Sequence, residues 1–305
     1  MNMIKRFSLL AALVAVMFAF NACEEDTVGP GDDETPSAPI NLMALSADAS
    51  TVHLKWSAPG DLDATMFDSY TVTYYPEGTG STDAPTMDAT EADMPFPVTG
   101  LDSNLVYTFD VVTNYTNGET STVASINWSP AMRFDMVDAQ TIKVYAHTSS
   151  FGSGLKLYDD LFEEPELMTV ADIAMWNLGL DTKVDGTAYF GSASILDYTG
   201  AVTAAMSAEV SSVLYPADGL NDRFESESLD MNTFTQRVED LATASSGTKA
   251  GVVMYARVPN GDTYNYAKLF VKSVNGSFVQ GTGDDQFVEV TISYQANAGF
   301  PYAKK

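Results

Sequence analysis

The sequence predicts a mainly all-β protein: a β-sandwich, then a second β-rich domain with one or two short helices. Three observations lead there. Apolar and polar residues alternate with a period of two through Val52-Leu54-Trp56, Tyr70-Val72-Tyr74 and Tyr107-Phe109-Val111, and again from Thr141 to His147. That period puts one face of a strand in a core and the other in water. Turn signals separate these runs, at Pro76-Glu77-Gly78, Asn117-Gly118 and Pro259-Asn260-Gly261-Asp262, and Asn-Gly supplies the positive φ that tight hairpins require. Hydrophobic residues at 45% and aromatics at 11% are enough to fill cores of this kind.

The chain opens differently. Lys5 and Arg6 precede Phe7 to Phe20, which is apolar throughout except for Ser8, and Asn21-Ala22-Cys23 follows. A basic, then apolar, then small-residue order is that of a secretory signal, and the run is too short to span a bilayer with polar flanks. Cys23, the only cysteine, resembles the acylated residue of the bacterial lipoprotein lipobox. The resemblance implies a signal peptide over 1–22, lipidation of Cys23, and outer-membrane lipid as a partner. Phe20-Asn21 departs from the usual Leu and small residue of that pattern. Residues 23–35 read as an acidic flexible tether, since Glu24 to Pro39 carries six acids, three Pro and two Gly and has little to bury. Glu24-Glu25-Asp26 resembles the signal that sends some Gram-negative lipoproteins to the outer face of the outer membrane, and Asp26-Thr27-Val28 resembles an O-glycosylation acceptor at Thr27. The acidic run, with the lipobox-like Cys23, implies a surface-exposed, lipid-anchored localisation.

Residues 36–130 form the first predicted domain. Pro36-Ser37-Ala38-Pro39 leads into the first strand, and Trp56 supplies a large apolar plug on the second. Gly100-Leu101 is followed six residues later by Tyr107. These features resemble a fibronectin type III domain, with Trp56, Leu101 and Tyr107 as its structural core and Tyr107 as a tyrosine corner. The resemblance implies a spacer or protein-binding module. The loop from Thr116 to Glu119 has no Arg-Gly-Asp, so integrin-type adhesion has no basis here.

Residues 131–305 form the second domain. Val252 to Val258, Tyr266 to Val271 and Phe287 to Tyr294 predict three successive strands, and Ala171 to Trp176 predicts another. Thr233-Phe234-Thr235-Gln236 has capping-box form, with Phe234, Val238 and Leu241 at helical spacing, and predicts a short helix. Tyr198 to Leu214 is compatible with either helix or strand. The order Val252–Arg257, Asn260-Gly261, Tyr266–Leu269 and Val288–Tyr294 resembles the C-terminal portion of HmuY-type haem-binding lipoproteins. That resemblance implies a β fold and axial haem ligation by His or Met, for which His147 and Met254 are the candidates.

Composition narrows function. Forty-one acids against 15 bases give a net charge of −26, which repels phosphate backbones and excludes nucleic acid as a partner. The same charge opposes haem propionates, so no cofactor is assigned. Two histidines, no spare thiol, and no phosphate loop or Gly-x-Ser-x-Gly leave little for catalysis. The acidic turns at Asp159-Asp160 with Glu163-Glu164 and at Gly283-Asp284-Asp285 lack the alternating oxygen spacing of a calcium loop, and no metal is assigned. Tyr255, Tyr264, Tyr266 and Tyr302 lie near one hairpin and are candidate contacts for surface proteins or glycans. The expectation is a non-enzymatic binding or adhesion protein at the cell surface. The alternatives are a haem or nutrient scavenger of HmuY type and a carbohydrate-active enzyme built on two carboxylates.

Overall fold

The computed structural model describes residues 35–137, 139–196, 202–211, 214–220 and 233–303. The predicted signal peptide, Cys23, Thr27 and all of the tether except Thr35 lie outside the described residues.

The first sandwich has two antiparallel sheets. One pairs β1 (Ile40–Asp48) with β2 (Thr51–Ser57) and β2 with β5 (Phe96–Val98); the other runs β4 (Thr86–Ala89), β3 (Phe67–Pro76), β6 (Tyr107–Tyr115), β7 (Ala124–Trp128). The period-2 pattern works as expected, because Val52, Leu54 and Trp56 of β2 face Tyr70 and Val72 of β3 across one core. Trp56 meets Tyr70 edge-on at 5.4 Å, a favoured aromatic arrangement. Tyr107 makes the corner: the backbone N–H of Asp102 donates to Tyr107 Oη at 3.0 Å. At the β6–β7 turn Gly118 takes φ +89°, a left-handed conformation that a side chain resists.

The second half is also a sandwich. Its larger sheet runs β17 (Phe234–Thr235), β15 (Glu209–Ser211), β19 (Gly251–Asn260), β20 (Thr263–Lys272), β22 (Phe287–Gln295), β10 (Gln140–Tyr145), β9 (Met136–Val137). Off this path, β8 (Met132–Phe134) and β21 (Val279–Gln280) pair with β22, and β16 (Tyr215–Leu220) pairs with β19. The smaller sheet runs β12 (Glu164–Met168), β11 (Gly154–Asp159), β13 (Leu178–Thr182), β14 (Ala188–Ser192), β18 (Val238–Asp240). Alternate residues of β19, β20 and β22, among them Met254, Leu269 and Ile292, pack against Leu155, Leu180 and Phe190 of the smaller sheet. A parallel bridge between Ala146 and Leu180 ties the two sheets together.

Two expected elements differ. Thr233 to Leu241 is not a helix. Phe234–Thr235 pairs with Val210–Ser211 in the larger sheet, whereas Val238–Asp240 pairs with β14 in the smaller one. The segment crosses between sheets, so Phe234 packs by Val253 and Tyr255 while Leu241 enters the main core. Residues bound for different cores share no helix face. Ala171 to Trp176 is likewise not a strand; Val170–Met175 is a 3₁₀ segment. Asp172 N–H turns back to Thr169 O at 3.0 Å, and of the expected apolar stripe only Trp176 is buried. Trp176 lies flat over Gly154, where a Cβ would come within 2.0 Å of its ring. Part of the ambiguous segment is strand, at Glu209–Ser211; residues 197–201, 212 and 213 lie outside the described residues.

The two sandwiches belong to one compact body, residues 36–305. The connection between them, Ser129-Pro130-Ala131, is buried throughout, unlike the exposed linkers that usually separate domains. Gln295, at the end of β22, is 1% exposed, and its Nε2 donates to Ser129 Oγ at 3.2 Å and Pro130 O at 3.1 Å. Asn297 Nδ2 donates to Ser103 O at 2.7 Å. Trp128 Nε1 of the first sandwich and the Ala131 N–H of the connection both donate to Ser46 Oγ at 2.9 Å.

Candidate functional site

A groove of about 400 Å³ runs between β9–β10, at one edge of the larger sheet, and β12, at the edge of the smaller. Strand periodicity builds one wall. Ile142 and Val144 of β10 point into the core, which turns Thr141, Lys143 and Tyr145 outward to the groove. Phe162, Glu164, Glu166 and Leu167 form the other wall, with Pro165 between the two glutamates.

The rim is aromatic. Tyr145 lies opposite Phe287 in the β10–β22 register with ring centroids 5.2 Å apart, and Phe151 packs on Tyr145 at 4.8 Å. Lys143 Nζ sits 4.7 Å from the Phe287 ring centre, a cation–π contact. Phe151, Leu161 and Phe162 are 54%, 82% and 62% exposed. Of these three, Phe162 lines the groove itself, and Phe151 adjoins it through Tyr145.

The turn that presents Leu161 and Phe162 is organised. Asp159 Oδ1 accepts the Leu161 N–H at 2.8 Å and the Phe162 N–H at 3.2 Å, Glu163 N–H donates to Asp159 O at 2.8 Å, and Lys156 pairs with Asp159 Oδ2. The Lys156 ammonium, followed by the Leu161 amide, holds the Asp159 carboxyl below its ordinary range. Glu163 closes the turn at φ +58°.

The residues singled out in the sequence fall elsewhere. Tyr255 is fully buried in the middle of β19, on the face opposite Met254. Tyr264 stacks on the Arg257 guanidinium at 3.9 Å; the same guanidinium lies 4.9 Å from Phe234 and bonds Glu209 Oε2 through Nε at 2.6 Å. Tyr266 packs edge-on to Phe234 at 6.0 Å. Tyr264 and Tyr266 thus brace the tie between β19 and β15. Tyr302 packs edge-on to Trp128 at 6.3 Å, at the junction of the two sandwiches. The structure therefore distributes these four tyrosines over three places.

His147 and Met254 are not brought to one cleft. Met254 is closed inside the main core. His147 Nδ1 lies 3.2 Å from Oδ1 of buried Asp181, whose Oδ2 is 2.5 Å from Lys183 Nζ.

Sequence reasoning passed over Tyr145, Phe151 and Phe162. A signal for two of them exists: Phe151 stands in Ser149-Ser150-Phe151-Gly152-Ser153, and Phe162 in Asp159-Asp160-Leu161-Phe162-Glu163-Glu164. Bulky apolar residues in such turn segments serve no strand period.

Residues 37–127 match the model of the fibronectin type III domain, which spans less than a third of the chain. Solved structures with likeness to it include the fn3 domain of human collagen alpha-1(XX) chain, 22% identical, covering 34% of this chain and 93% of that one at a TM-score of 0.28. The FN5 domain of Drosophila Lar is 20% identical over 32% of this chain and 98% of its own, with a TM-score of 0.24. A structure described as a myokine is 14% identical over 32% and 99%, with a TM-score of 0.27. No curated protein matches the chain.

Proposed function

We propose that a chain carrying this fibronectin type III domain is a lipid-anchored, non-catalytic binding protein of the outer cell surface, with the first sandwich as a strut and the second as the ligand reader. The fibronectin type III domain is itself an interaction or spacer module. The leader and Cys23 pattern supports the anchor, and the acidic run after Cys23 supports display on the outer face. The observation that carries the reading is the aromatic-rimmed groove between the two sheet edges. Phe162 in its wall and Phe151 beside Tyr145 are exposed, whereas Tyr255 is fully buried and Tyr264 is stacked on Arg257. Scavenging of haem through His147 and Met254 draws no support from a methionine enclosed in the core.

Two measurements test the proposal. Fatty-acid labelling in the native host should mark the wild type and not Cys23→Ser, and protease applied to intact cells should cleave the wild type. An unlabelled wild type refutes the anchor. Ligand capture by the full-length protein that Phe162→Ala leaves unchanged refutes the groove.

A further inference from the structure

We propose that the groove between β10 and β12 takes a charge-neutral saccharide. This rests on the groove being the ligand site and assigns its ligand class from the lining.

Phe162, 62% exposed in one groove wall, offers an apolar face of the kind that covers the C–H face of a pyranose, and Tyr145, packed against Phe151 and Phe287, stands in the opposite wall. Between them stand groups of both hydrogen-bonding senses. Lys143 only donates, Glu164 and Glu166 only accept, and Gln140 and Thr141 do both. Sugar hydroxyls also donate and accept, so each finds a counterpart in this set. The cavity falls in the size range of small-ligand clefts, roughly 300–1,000 Å³.

Charge disfavours the anionic classes. An anionic glycan or a propionate meets Glu164 and Glu166 within a molecule of net charge −26. A neutral polyol incurs no such repulsion. Among the lining residues a cationic peptide is opposed by Lys143 alone, and a peptide array reads that class.

Backbone pairing with an extended peptide is also obstructed. Pro165 is the second residue of edge strand β12 and has no N–H to donate. On β10 the Tyr145 N–H is already bonded to Gly152 O at 3.0 Å. Strand addition depends on a run of free main-chain groups. Recognition here falls to side chains.

The test is a glycan array of neutral, sialylated and sulfated oligosaccharides, run beside a peptide array with the full-length protein and followed by calorimetry on the tightest neutral binder. The expected result is neutral-glycan binding weakened about tenfold to a hundredfold by Phe162→Ala and by Tyr145→Ala, the scale of losing an aromatic anchor. Tyr264→Ala should bind as the wild type does. Phe162 is largely exposed, so its variant should keep the wild-type melting temperature. Preference for anionic glycans, for peptides, or for no neutral glycan overturns the saccharide assignment; if Phe162→Ala abolishes such alternative binding, the groove stands as the site. Binding indifferent to both groove substitutions overturns the groove itself.

Discussion

Replacing Gln295 by alanine should unlock the two sandwiches from each other. Gln295 is almost wholly buried, and its amide donates to Ser129 Oγ and Pro130 O in the connecting segment. Its Oε1 accepts the Asn297 N–H at 3.0 Å and Asn297 Nδ2 at 3.1 Å. Asn297 is only half-buried and can turn to water, so its loss counts little. Ser129 and Pro130 are buried and cannot. Ser129 Oγ keeps its bond to Ser103 O at 3.3 Å, which leaves the Pro130 carbonyl as the unpaired acceptor. An unpaired buried acceptor costs about 1–3 kcal/mol, here taken as about 2 kcal/mol. For a protein of this size that lowers the melting temperature by about 4–8 °C. Urea unfolding should be followed by tryptophan fluorescence, weighted to Trp56 and Trp128 of the first sandwich, and by near-ultraviolet circular dichroism. The wild type should show one coincident transition. Gln295→Ala should show a lower midpoint and separation of the two probes. A variant within 0.5 kcal/mol of the wild type, taken as roughly the noise of surface substitutions, or a wild type that already unfolds in two steps, would refute the reasoning.

Three further predictions follow from local geometry. Gly154→Ala drives a methyl into the Trp176 ring and should destabilise the protein by about 3 kcal/mol or more, seen as a fall in the urea midpoint. Tyr107→Phe strands the Asp102 N–H and should cost about 1–2 kcal/mol without altering groove binding, as calorimetry would show. Burial, then the charge of Asp160 and the neighbouring Tyr158, raises the Tyr294 phenol above its ordinary 10.0. Because the folded-state value exceeds the unfolded one, this contribution is complete below pH 10.0 and is lost as pH rises through the folded-state value. Stability should therefore decline above pH 10.0, and Tyr294→Phe should flatten that decline in an unfolding titration.

How much of this was legible depended on how local the cause was. The first sandwich was readable because Val52, Leu54 and Trp56 alternate toward one core and because the spacing from Leu101 to Tyr107 is a local constraint. Strands β19, β20 and β22 were readable for the same reason. The segment from Phe234 to Leu241 was not, because its two ends serve different sheets and only tertiary pairing reveals this. Ala171 to Trp176 has strand composition, but it lies at the surface and turns on a Thr169–Asp172 contact. Alternation also misled about the tyrosines, since it gives the face of Tyr255 but not whether that face is covered. The groove was least legible. It exists because the edges of two sheets meet, and Tyr145 and Phe162 approach it from opposite sides.

Hydroxyl-radical footprinting of the full-length protein, with and without its saturating ligand, tests the central claim most directly. Protection should concentrate on Phe162 and Tyr145, while Tyr264 and Tyr266 keep their ligand-free labelling. Protection at Tyr264 and Tyr266 with Phe162 still fully labelled would contradict it, moving recognition from the groove to the β19–β20 hairpin.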